Sequence, residues 1–301
     1  MDGKTSITAL MSAFGRAYHA NNDACPIFND SIAAELMTSD EYTQIGKYIL
    51  GGIDFFAPEK KGTFSSEKDA LRYLVNTQIA PTPIARAKFC EDRLKTAVIT
   101  GTQQYVILGA GMDTFAYREA DFLKNHKVFE VDHPLTQADK TERISRAKLT
   151  VSDNLCYVAV DFLKDNLQEK LLNAGFDPTK KTYFSWLGVS YYLSEQQIDA
   201  MLDSVADLSA DGSTLVFDYA DDMLFSCDVK RVQNMIAMAA AGGEPMKSCF
   251  GYDKLEKLLE KHGFLIYELM TAKDIQAQFF ANRDDELTAF EHINYVQAVF
   301  K

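Results

Sequence analysis

Gly109 and Gly111 stand between an apolar run, Gln104–Leu108, and a stretch with helical spacing, in the order Leu108-Gly109-Ala110-Gly111-Met112-Asp113. Glycine permits positive φ and leaves no Cβ in a ligand's path, so this arrangement can turn a strand into a helix and admit a nucleotide close to the backbone. An acid follows about twenty residues on, where that fold expects one: Asp132, at the end of Lys127–Val131. A carboxylate there can accept hydrogen bonds from both hydroxyls of an adenosine ribose. A second acid, Asp161, ends the run Tyr157–Val160. It can accept from an adenine amino group, with the Phe162 backbone N–H facing the ring, or it can cap the helix that follows.

The turn discriminates between nucleotides. A dinucleotide fold usually has a third glycine at position 114, where the helix N-terminus cradles a pyrophosphate. Here Thr114 follows Asp113, and a carboxylate repels a pyrophosphate. A ligand bearing an ammonium and a sulfonium, without phosphate, tolerates the acid. S-adenosylmethionine fits better than NAD.

These residues need a scaffold. Before residue 100, helical spacing predicts helices over Thr5–Ala20, Asp30–Leu36, Glu41–Leu50, Glu67–Asn76 and Ile84–Thr100, with Pro81 and Pro83 interrupting the series. After it, short apolar runs at Tyr105–Leu108, Lys127–Val131, Tyr157–Val160, Thr182–Trp186 and Thr214–Tyr219 alternate with helical stretches around Thr136–Lys148, Leu163–Ala174, Glu195–Leu208 and Tyr252–His262. That alternation predicts an α/β fold with a parallel sheet covered on both faces. Phe264–Met270 and Ile293–Val299 read as two more strands, the last antiparallel at or near an edge. Residues 1–100 are expected to form a helical lid within the same domain as a nucleotide-binding core over 101–301. Met235–Met246 reads as a core helix ended by Gly242-Gly243, or else as a pocket wall.

Composition narrows the partners. A formal net charge of −12 and no clustered basic stretch argue against nucleic acid, which is bound mainly through Lys and Arg. Cys25, Cys90, Cys156, Cys227 and Cys249 show no metal or redox spacing, which points to reduced thiols. No apolar run has signal-peptide or membrane-spanning character. A cytoplasmic protein without a membrane partner is expected; the oligomeric state is not legible.

The runs Gln104-Tyr-Val-Ile-Leu-Gly-Ala-Gly-Met-Asp-Thr-Phe-Ala-Tyr-Arg118, Phe129-Glu-Val-Asp-His-Pro134 and Val160-Asp161 resemble the leucine carboxyl methyltransferase family, which includes bacterial polyketide O-methyltransferases. The resemblance covers about residues 17–219. It implies a Rossmann-like class I methyltransferase with a mostly parallel seven-stranded sheet, and S-adenosylmethionine as cofactor. It further implies that Gly109 and Gly111 pass the methionine part, that Asp132 holds the ribose, and that Asp161 and Phe162 hold the adenine. Arg86 matches the arginine that pairs with the cofactor's carboxylate, a task for which a planar guanidinium fork is suited. Arg16 or His19 falls near a second basic contact. One departure stands out: Leu187 occupies the position where the family usually has an acid. The contact to the cofactor's ammonium is then lost, mediated by water, or taken over by Asp113 or a backbone carbonyl.

Methyl transfer from a sulfonium is an in-line displacement. An ionised carboxylate acceptor needs no general base, so alignment and desolvation carry the task. No Ser-His-Asp set is found, and His19, His126, His133, His262 and His292 lack metal-ligand spacing; no metal is expected. A hydroxyl acceptor would require a base, with His19 and Asp30 as candidates. Tyr191 or Tyr192 can line the acceptor pocket. The expected activity is O-methylation of a carboxylate on a small molecule or peptide. The alternatives are a non-catalytic binder of the same cofactor and a nicotinamide-dependent oxidoreductase.

Overall fold

Every residue of β1 (Gln104–Leu108) and β4 (Thr182–Trp186) is buried, the pattern of central strands covered on both faces. They belong to one sheet with β2 (Lys127–Asp132), β3 (Leu155–Ala159), β5 (Thr214–Ala220), β6 (Phe264–Met270) and β7 (Ile293–Phe300), in the order β3-β2-β1-β4-β5-β7-β6. The computed structural model describes residues 6–162 and 164–301. Thr5 and Leu163, the first residues of two expected helices, lie outside them.

Side chains alternate across the sheet with period two, as the pleat requires. Tyr105, Ile107, Tyr183 and Val216 pack on one face with Phe14, Ile84 and Phe89 of the N-terminal helices. Val106, Leu108, Phe184, Trp186 and Phe217 pack on the other with Leu171, Leu202 and Leu259. Burying each such side chain contributes about 1.5–3 kcal/mol. The helix Glu195–Asp207 on that second face begins with a capping box between Ser194 and Gln197.

The topology sets a switch point between β1 and β4. β1 pairs in parallel with both β2 and β4, so the chain leaves the carboxyl ends of β1 and β4 in opposite directions. Such a reversal is where parallel sheets receive ligands. The glycine turn follows β1 directly, and Leu187–Tyr192 follows β4.

Several elements differ from expectation. Pro81 and Pro83 do not interrupt a helix; they open the helix Pro81–Ile99, where an absent N–H leaves no bond unmade. The α-helix expected to reach Asn76 ends at Leu74 and widens into a π-helix, Val75–Ile79. Gly15 of the first helix, Ile7–Asn22, nests against that widened turn: a Cβ on Gly15 would lie 3.1 Å from the Ile79 carbonyl oxygen. The helix after the glycine turn is short, Phe115–Arg118, followed by Ala120–Leu123. Two others match expectation: β7 is antiparallel to β5 and β6 and near an edge, one strand in from β6. The helix expected over Met235–Met246 begins earlier, at Lys230, but is ended at Gly242 as expected, and Gly243 takes φ +84°.

Candidate active site

The glycine turn is tied to the end of β2. Gly109 and Ala110 donate to the Val131 carbonyl at 2.8 and 3.1 Å. Gly109 and Gly111 take φ +72° and +48°, the region that favours glycine. A Cβ on Gly109 would come within 2.6 Å of Val189 Cγ2, and one on Gly111 within 3.3 Å of Ala9 Cβ. The turn is thus a cradle that any side chain would fill.

Asp132 sits beneath it. Its Oδ2 accepts from Gly111 N at 2.5 Å and its Oδ1 from His133 N at 2.6 Å. Burial pushes its carboxyl up, against the pull of those two N–H groups. Asp161, at the end of the neighbouring strand, accepts from Lys164 at 2.8 Å, and His133 Nε2 lies 3.9 Å from the same oxygen. Phe162 packs half-buried on the second apolar face. Asp113 accepts from Phe115 N at 2.7 Å, the first residue of the short helix after the turn.

Two guanidinium groups converge on the hydroxyl of Ser12. Arg16 Nη1 donates to Ser12 Oγ at 3.0 Å and Arg86 Nη2 at 3.4 Å. Each arginine is backed by a fully buried carboxylate. Arg16 Nε donates to Asp30 at 2.8 Å, while Arg86 Nη1 donates to Asp218 at 3.1 Å and to Tyr191 Oη at 2.9 Å. Arg16 Nη2 also donates to the Met112 carbonyl at 2.7 Å, which fastens the first helix to the glycine turn. Paired forks beside the glycine turn suit a ligand carboxylate.

The other candidates lie differently. Asp30 accepts from Thr114 Oγ1 as well as Arg16, and Arg118 stands 3.3 Å away. Burial alone would raise its carboxyl, but Arg16, Arg118 and Thr114 together hold it below its ordinary range. Leu187 is half-buried among apolar side chains. Tyr191 is buried against Arg86, and burial pushes the half-buried Tyr192 phenol up to about 12. His19 is buried away from the turn; its Nε2 accepts from Ile27 N at 2.8 Å and its Nδ1 lies 2.7 Å from Asp23. Ser12 and Asp218 were not among the expected site residues. Asp218 carried a signal, an acid inside the apolar run Thr214–Ala220; Ser12 carried none.

His19 leads to a prediction about stability. Burial pushes its ring below the ordinary pKa, against the pull of Asp23. The folded state therefore favours the neutral ring. That contribution is present above the unfolded value, about 6.5, and is lost as pH falls from there through the lower folded value. Stability in urea is expected to drop between pH 7 and 5, by at most about 1.4 kcal/mol per pH unit from this group. His19→Gln should show a shallower slope; an unchanged slope would remove His19 as a cause.

A cavity of about 290 Å³ opens elsewhere, lined by residues that include Phe56, Tyr73, Gln78 and Arg231. None belongs to the turn, and Arg231 has its donors on Glu291, Thr288 and Ala289. Among the described residues, no three His, Cys, Asp or Glu side chains are grouped to hold a metal.

A mostly parallel seven-stranded sheet, a glycine turn after β1 and acids closing β2 and β3 define an S-adenosylmethionine-dependent methyltransferase of class I. The profile described as "Leucine carboxyl methyltransferase" matches residues 9–206, and the chain belongs to that family. A Bacillus subtilis (strain 168) protein named "Putative S-adenosyl-L-methionine-dependent methyltransferase YktD" is 44% identical over 301 residues, 99% of each chain. A similarly named Mycolicibacterium paratuberculosis protein is 32% identical over 80% of this chain and 74% of its own. Among solved structures, a DUF574 family protein from Streptomyces avermitilis superposes with a TM-score of 0.55 at 16% identity, over 85% of this chain and 96% of that one. That likeness concerns the fold.

Proposed function

We propose that this enzyme transfers methyl to oxygen, with a carboxylate of a small molecule or peptide as acceptor. The observation that carries the reading is the state of the candidate bases. Asp30 is paired with two arginines, and His19 is engaged by Ile27 and Asp23. Glu244, an acid near Tyr192, accepts from the Ser6 and Thr8 hydroxyls. A hydroxyl acceptor would need a free base; an ionised carboxylate does not.

In this reading the cofactor supplies an electrophilic methyl group, and the chain's residues hold, align and dry the site. Arg86 and Arg16 receive the cofactor's carboxylate where they now share Ser12. Gly109 and Gly111 give the methionine part close approach, Asp132 accepts from the ribose, and Asp161 with Phe162 borders the adenine. Tyr191 and Tyr192, after β4, line the acceptor side. Residues 1–100 act as a lid on the 101–301 core within one domain; Ala9 and Arg16 already meet the turn. Alignment and exclusion of water then lower the barrier. We place the enzyme in the cytoplasm, where its five free cysteines would stay reduced. Among the described residues, no helix is long and apolar enough to cross a membrane.

The test is methyl transfer from labelled S-adenosylmethionine to a panel of carboxylic acids, C-terminal peptides and phenols. Base-labile methyl ester on a carboxylic acid or peptide end is expected. Ether products from phenols alone would overturn the carboxylate reading and leave the cofactor untouched.

A further inference from the structure

Leu187 leaves the carboxyl end of β4 without the acid its family usually has there, and the adjacent strand carries one at the same level. β4 and β5 run in parallel with Trp186 beside Phe217, so the next residues, Leu187 and Asp218, stand side by side. Asp218 is fully buried, and its carboxylate gathers three pieces of the site. Oδ1 accepts from Gly188 N at 2.6 Å, while Oδ2 accepts from Arg86 Nη1 at 3.1 Å and Tyr191 Oη at 3.4 Å. Ser190 Oγ donates to the Asp218 carbonyl at 2.5 Å, which ties the turn after β4 to the same residue. Gly188 takes φ +71°, and a Cβ there would lie 2.5 Å from the Arg86 guanidinium. The guanidinium therefore lies flat on a glycine whose N–H is held by the very carboxylate that holds the guanidinium.

We propose that Asp218 is the positioning residue for the amino-acid end of the cofactor. It acts through Arg86 and the Gly188 turn rather than by touching the cofactor, since its oxygens already accept from Gly188, Arg86 and Tyr191. With Nη1 anchored on Asp218, Arg86 directs Nη2 to the Ser12 hydroxyl, where Arg16 also points. That fixed edge is the one a ligand carboxylate would meet. The inference rests on the reading that Arg86 receives that carboxylate.

Two ligands separate positioning from mere stability: S-adenosylhomocysteine, which carries the amino-acid end, and 5′-methylthioadenosine, which lacks it. Calorimetric titration of the full-length protein should show Asp218→Asn weakening S-adenosylhomocysteine about ten- to hundredfold, the range for a charged hydrogen bond. Methylthioadenosine should change less than about twofold on the same grounds. Equal weakening of both, or of neither, would overturn the proposal. Asp218→Glu, which keeps the charge but moves it by one methylene against Arg86 and Gly188, provides a second arm if Asp218→Asn fails to fold. It should weaken S-adenosylhomocysteine and leave methylthioadenosine within about twofold. Unchanged affinity for S-adenosylhomocysteine, or equal weakening of both, would overturn the proposal. Wild-type protein that binds S-adenosylhomocysteine no better than methylthioadenosine would instead refute the placement of the carboxylate at Arg86.

Discussion

Replacing Lys140 with Met is expected to cost the fold about 3 kcal/mol at pH 9, the low end of the penalty for leaving a buried charge without its partner. Lys140 and Glu130 are each 1% exposed, and Lys140 Nζ lies 2.6 Å from Glu130 Oε2. Burial pushes the Glu130 carboxyl up to about 7, against the pull of Lys140. Without the lysine, the folded carboxyl rises further above its unfolded value. A raised carboxyl favours the protonated form in the folded state, so that stability is present at low pH and lost as pH rises through the folded pKa. The defect should therefore be small up to about pH 7, where the wild-type carboxyl begins to ionise, and grow above it by up to about 1.4 kcal/mol per pH unit. Urea unfolding at pH 6 and pH 9 measures it. Adding Glu130→Gln should recover much of the loss at pH 9. A loss independent of pH would mean that packing, rather than the stranded carboxylate, is responsible.

Asp132→Ala should weaken S-adenosylmethionine by about 1–3 kcal/mol, the range for hydrogen bonds to a charged group. Asp132 also holds Gly111 N and His133 N, so its removal loosens the turn itself. Unlike Asp218→Asn, this change should weaken methylthioadenosine as much as S-adenosylhomocysteine, because the ribose is common to both. Unchanged affinity in calorimetry would refute the ribose placement.

The parts of the site that were legible in the sequence are local. The turn Gly109–Asp113 announces itself because glycine, an apolar run and a spaced acid all lie within about thirty residues, the span of one βαβ unit. The parts that were not legible depend on distant pairing. Asp218 and Arg86 are 132 residues apart, and Ser12 acquires its role only when two helices cross. Pro81 and Pro83 were misread because proline breaks a helix interior but suits its first turn. The π-helix Val75–Ile79 continues the apolar spacing of the helix before it, so periodicity cannot distinguish it. The position of β7 inside β6 is likewise a matter of which strand finds which partner.

The first helix, finally, has a kinetic consequence. It is fastened at both ends of its inner face, by Ser6 and Thr8 on Glu244 and by Arg16 on the Met112 carbonyl. With the cofactor seated on the turn as proposed, exchange of its spent form would require those contacts to separate, so that loosening them should speed release.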